Sequence, residues 1–134
     1  MAEYTTRVTV DAPFDDVVAA TEDALAAEGF GVLCDVDVRA TLKQKLDAEF
    51  RDYRILGACN PPLAHEAMGE ELELGALLPC NVVVYATDDG DVAVSAVRPT
   101  ELLSLVENED LDPIAAEVEA RLDDVLAAVV GEFA

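Results

Sequence analysis

The hydrophobic period of this chain switches repeatedly between two and about 3.6 residues, and that switching constrains the fold more than any other feature. In "EYTTRVTV" (3–10) the alternation is strict, with Tyr4, Thr6, Val8 and Val10 on one face and Thr5, Arg7 and Thr9 on the other. A strand buried on one side reads this way. From "DAPFDD" onward, Phe14, Val17, Val18, Ala24 and Leu25 recur at helical spacing. Asp11 sits near the cap, Pro13 in the first turn, and Gly29 stops the helix.

"FGVLCDVDV" (30–38) returns to period two and puts Phe30, Val32, Cys34, Val36 and Val38 on one side, so Cys34 reads as a small buried hydrophobe. "RATLKQKL" suggests a short helix or turn, and "DYRILGAC" (52–59) a third strand. Asn60-Pro61-Pro62 opens a helix running to about Gly69. "CNVVVYA" and "VAVSAV" predict a hairpin across Asp88-Asp89-Gly90-Asp91, where Gly supplies the positive φ of the turn. Pro99 begins a short helix through "LLSLV"; Asp112-Pro113 begins the last one, with the stripe Ile114, Val118, Leu122, Val125 and Val129 and an end at Gly131.

The resulting order, β-α-β-(α)-β-α-β-β-α-α, predicts an α+β fold in a single domain, 1–134. It consists of a largely antiparallel five-stranded sheet with helices packed on its apolar face, one layer on one layer. "NVVVY" breaks the alternation with a continuous apolar run. Such a strand is central, or is covered on its second face by a partner subunit.

Hydrophobic residues make up 52% of the chain, aromatics only 5%, and Trp is absent, so the core must be Val, Leu and Ala. Against that stands a net charge of −21, from 29 Asp and Glu and 8 Lys and Arg. The hydrophobicity excludes disorder. The charge repels nucleic acid and anionic membranes, since no basic face exists to displace counterions from phosphates. With Lys43 and Lys45 as the only lysines, the composition resembles that of cytoplasmic proteins from salt-loving archaea. There, salt near about 1 M shrinks the screening length to about 3 Å. Acidic runs such as "GEELE" and "ENEDLD" then read as solvated surface rather than chemistry. No basic-then-apolar leader and no run of about 18 apolar residues is present, which predicts a cytoplasmic protein that does not span a membrane. Three cysteines without CxxC spacing argue against a disulfide or zinc framework.

Two constellations could carry chemistry. Residues 54–85 hold two of the three cysteines and the single histidine. Cys59 ends a strand just before the Asn60 cap, where the positive end of a helix favours thiolate. Cys80 follows Pro79 and starts the next strand, so antiparallel neighbours would bring the two thiols to one edge, with His65 a turn into the helix. That pattern fits a redox pair or a nucleophilic cysteine oriented by His65. It fits two half-buried small residues and a solvent-facing histidine better. A gap of 20 residues is no metal-ligand spacing, and no metal is expected. The second constellation is basic: Arg39, Lys43, Lys45, Arg51 and Arg54 fall within 16 residues. They could hold a carboxylate or phosphate beside a helix start, or simply pair with Asp47, Glu49 or the acidic helices. Nothing matches a glycine-rich nucleotide loop, HExxH or GxSxG, so nucleotide-cofactor, kinase and hydrolase chemistry have no local support, the balance leans away from an enzyme, and the sequence identifies no cofactor.

The stretch "DVRATLKQKL…YRILGACNPPLAHEAM…LLPCNVVVY…LLSLV" resembles the domain-of-unknown-function family 302, over about Gly29 to Val130. The resemblance implies a compact α+β domain, a homodimer, and no established activity. Lys43, Cys59, Asn60, Pro61, His65, Pro79, Cys80 and Asn81 lie inside the motifs that carry it. Acidity is the departure, and it suggests salt adaptation rather than altered chemistry.

These observations converge on one expectation: a cytoplasmic, dimeric binding domain with a small anionic ligand. In it Lys43, Lys45 and Arg54 neutralise charge, Asn60 and Asn81 orient the ligand, and Cys59 and Cys80 line the same hollow. A thiol-dependent redox or catalytic protein using Cys59 and Cys80 is one alternative. An assembly module with no small-molecule site is the other.

Overall fold

A computed structural model describes residues 3–134. Strand β1 (Thr5–Val10) is followed by α1 (Phe14–Ala27), β2 (Gly31–Asp37), α2 (Val38–Leu46), β3 (Tyr53–Cys59) and α3 (Pro61–Glu70). A 3-10 turn, Leu72–Leu77, leads into the hairpin β4 (Cys80–Ala86) and β5 (Val92–Val97). The short α4 (Pro99–Leu102) and two 3-10 turns connect it to the long α5 (Asp112–Glu132). The five strands form one sheet in the order β1-β5-β4-β3-β2, antiparallel throughout. The expected α+β architecture is therefore the observed one, and β4 is its central strand.

Local chemistry explains the element boundaries. Gly29 takes φ 85° and lets the chain leave α1, while Gly90 takes φ 88° in the β4–β5 turn. The Asp37 side chain accepts a hydrogen bond from the Ala40 backbone N at 2.9 Å and starts α2. Asn60 does the same for α3, its Oδ1 accepting from the Leu63 N at 3.3 Å.

Helices α1 and α5 lie against each other and against one face of the sheet. Their apolar stripes bury Val17, Leu25, Leu122, Val125 and Val129 on Leu56, Val82, Val84 and Val94. Each such side chain contributes roughly 1.5–3 kcal/mol of transfer free energy. Thr21 is the polar member of the α1 stripe, and its hydroxyl donates to the Val17 carbonyl at 2.7 Å. A second, smaller cluster joins α3, the Leu72–Leu77 turn and the start of α5 through Ala67, Leu74, Leu111 and Ile114.

Strand β2 departs from its sequence pattern. Val32 pairs with Ala58, but Cys34 pairs with Gly57, so Leu33 is an extra residue that bulges the strand. Beyond the bulge the side chains change faces. Phe30 is buried, whereas Cys34 is exposed and Val36 is 41% exposed. Cys34 is thus no core residue, and Val38 begins α2 instead of ending the strand. Gly57 makes room for the displaced thiol: a Cβ there would meet the Cys34 Sγ at 2.5 Å and the Pro79 Cγ at 2.8 Å.

No helix of the described residues covers the sheet's other face. Its rows follow from the register: Thr5–Val97, Arg7–Ser95–Val83–Ile55–Val36 and Thr9–Ala93–Tyr85–Tyr53, with Asn81 beside Gly57 and Cys34. The Tyr53 and Tyr85 rings stack with centroids 5.5 Å apart, and Phe50 leans on Tyr53 at 6.0 Å.

Candidate functional site

Strand β3 has a different environment at each end. Arg54 lies near its start and Cys59 at its finish. At about 3.3 Å per residue they are about 16 Å apart along the strand.

At the Arg54 end four of the five cations are already matched. Arg54 grips both carboxylate oxygens of Asp35, its Nε standing 2.7 Å from Oδ1. That guanidinium holds the Asp35 carboxyl below the usual carboxylate range, chiefly by hydrogen bonding. Arg39 pairs with Asp52 at 2.8 Å, and Lys43 with Asp47 at 2.8 Å and Glu49 at 3.1 Å. Arg51 reaches Asp88 and the Ala86 carbonyl, each at 2.9 Å. Lys45 has no carboxylate within 4 Å among the described residues. The surface hollow beside Arg39, Lys43 and Arg54 is also walled by Asp15, Asp37, Glu49 and Asp52. An anion entering it would meet four carboxylates against three cations.

At the Cys59 end the surroundings are apolar. A cavity of about 280 Å³ opens between the end of the sheet, α3, the Leu72–Leu77 turn, α4 and α5. Leu63, Ala67, Met68, Leu74, Leu102 and Ile114 wall it. Its polar-capable side chains are the Cys59 and Cys80 thiols and the Asn60 amide. Cys80 faces inward because its cross-strand partner Ala58 does, and burial with Cys59 nearby pushes its thiol up to about 11. Cys80 is therefore a neutral thiol at ordinary pH. Asn60 is only 7% exposed, with its oxygen committed to the α3 cap.

The thiol-bearing turns do meet, as the antiparallel pairing of β3 and β4 requires. The cationic stretch does not join them, because the length of β3 intervenes; the expected single hollow is two separate places. His65 is exposed on α3 and does not line the cavity. Asn81 belongs to the uncovered face of the sheet, opposite to its neighbour Cys80. Leu33, Met68 and Leu74 also line the cavity, although no motif in the sequence marks them. "LELGALL" follows an acidic run, yet Leu74 is 1% exposed and floors the cavity. The leucine density of that stretch is the signal in the sequence for burial there.

Among the described residues no three His, Cys, Asp or Glu side chains converge as a metal site, and no helix is long and apolar enough to cross a membrane.

Comparison with known proteins agrees with the fold. A crystal structure of an uncharacterized conserved protein DUF302 from Bacillus stearothermophilus superposes with a TM-score of 0.85 at 32% sequence identity. The alignment covers 99% of this chain and 100% of that one. No curated protein matches. The model of the domain of unknown function DUF302 matches residues 6–129, a span that takes in both ends of β3, the cavity and the uncovered sheet face, and the chain belongs to that family.

Proposed function

We propose that this domain binds a small apolar molecule in the cavity at the Cys59 end of β3. One observation carries the reading: a pre-formed hollow of about 280 Å³ whose walls are apolar apart from two thiols and one amide. Cavities of about 150 Å³ with aliphatic walls already admit benzene, so this one suits a single or fused ring or a short acyl chain. The anionic ligand suggested by the basic cluster has less support, since four of its five cations are matched by carboxylates. The free thiols and the acidity fit a reducing cytoplasm of high salt, where screening offsets the charge of −21.

Thermal unfolding in buffer saturated with benzene, p-xylene or indole tests the reading. At least one probe should raise the melting temperature, and Ala64→Leu, which fills the hollow from α3, should remove the shift. Absence of any shift across such a panel sinks it.

A second reading has its own observation, two thiols among the residues that line one cavity. Diamide would take two hydrogens from Cys59 and Cys80 and leave a disulfide; in a Cys34→Ser background, intact-mass measurement shows whether that pair forms. Cys80, held protonated by burial, is not the attacking thiolate of such a pair.

A further inference from the structure

The uncovered face of the sheet is nearly free of charge in a chain where 29 residues are acidic. None of the side chains in its three cross-strand rows is Asp or Glu, and Arg7 is the one charged group in those rows. Even Arg7 is engaged, its Nη1 donating to the Tyr85 hydroxyl at 3.3 Å. If acidity keeps this chain dissolved, the acid-free face is the part of the surface not left to solvent.

We propose that this face docks a second copy of the chain, sheet against sheet about a two-fold axis. The inference is independent of the cavity reading. The central strand supports it, because Val82, Val83 and Val84 are apolar on both sides, as in strands covered on both faces. Ile55 and Val83 are half-buried in the middle row, Val97 is half-buried at one end of the face, and Tyr53 and Tyr85 stack at the other. Aromatics with an arginine are what interface cores accumulate. Five strands of six or seven residues give a footprint of roughly 24 Å by 20 Å, about 500 Å² per copy. Two copies reach the ~1,000 Å² that a specific interface requires.

The charge pattern selects the partner. An acidic partner is repelled by the rest of the molecule, and a basic one finds no carboxylate on this face. A nearly uncharged surface of matching size and twist, with hydroxyls among its aliphatic side chains, is needed, and the same face of a second copy supplies it. Isologous pairing also closes the assembly at two. Sheets stacked about 10 Å apart at a small angle are the expected geometry.

The bulk charge adds a signature. Each copy carries −21, so association opposes a long-range repulsion that salt screens. Sedimentation equilibrium of the full chain should show a dimer in molar potassium chloride that dissociates as the salt is lowered. Val83→Asp buries a charge twice across the two-fold and should raise the dissociation constant ~100-fold or more. Val36→Asp, on edge strand β2 at a site already 41% exposed, should weaken the dimer less and covers the case that the central substitution unfolds the chain. Leu72→Asp, 87% exposed on the helix side, should leave the dimer intact. Circular dichroism establishes that each variant is folded. A wild-type monomer in molar salt overturns the proposal and leaves the face to a different partner. So does a dimer that tolerates both strand variants, or one that Leu72→Asp breaks.

Discussion

Strand β3 is charged at one end and dry at the other. Around Arg54, cations stand beside water with carboxylates a hydrogen bond away. Around Cys59, no ion pair is found among the described residues, and leucines, alanines and two thiols surround a hollow. The contrast teaches that a run of like charges in sequence says little about a site until its counter-charges are located. Here Asp35 comes from β2, Asp88 from beyond β4, and Asp52 from the turn before β3. The fold brings acids from three directions to neutralise the cluster. At the other end it brings side chains with nothing to neutralise.

If the dry end holds the structure more firmly than the charged end, truncation there should cost most. Leu74 is 1% exposed and joins the second core cluster to the cavity floor. Leu74→Ala should lower the unfolding free energy by about 3 kcal/mol, within the range for core leucines and enlarged by the hollow already present. Urea unfolding measures it. A loss smaller than that of any substitution in the charged cluster would reverse the comparison.

Much of this contrast could be read from residue order, though not all of it. Period and turn chemistry located every strand, both prolines of the α3 start and the β4–β5 hairpin, because those signals act over a few residues. The antiparallel ends of β3 and β4 also followed, which is why Cys59 and Cys80 were expected together. Two things were hidden. The bulge at Leu33 adds one residue to a regular alternation, and no local signal distinguishes a bulged strand from a straight one when both sides are apolar enough. It turns Cys34 to the uncovered face. The cavity was hidden too, because its walls come from α3, the Leu72–Leu77 turn, α4 and α5, elements whose mutual placement depends on the whole chain. The side chains that make it are ordinary core residues one at a time. Their failure to fill the space between them is a property of packing alone.

The Arg54–Asp35 pair is the strongest contact of the charged end, two-pronged and about 30% exposed at the carboxylate. Asp35→Asn should cost about 1 kcal/mol or less, since water and salt screen a partly exposed pair. Its pH dependence is specific. The folded pKa of Asp35 lies below its unfolded value, so the contribution is fully present above about 3.9 and is lost as pH falls through the lower folded value. Wild type and variant should therefore differ at neutral pH and converge in acid. A gap that widens on acidification would mean that Arg54 does not govern this carboxyl.

The smallest effect is the most discriminating. Lys43 lies inside the span that the family model matches, yet its side chain is 56% exposed and its ammonium is shared between Asp47 and Glu49, themselves 86% and 76% exposed. Holding long side chains in place costs about as much as such a contact returns, and salt weakens the contact further. Lys43→Gln should leave the melting temperature where it is. The same reasoning extends to ligands, because a cation already shared by two carboxylates has little field left for a third anion. Inorganic phosphate and citrate should then act alike on wild type and variant, through bulk salt only. A stabilisation by phosphate that appears in wild type and vanishes in Lys43→Gln would show that an anion can displace Asp47 and Glu49. In that event the charged end would be a site after all, and the division of β3 into a matched end and a binding end would fail.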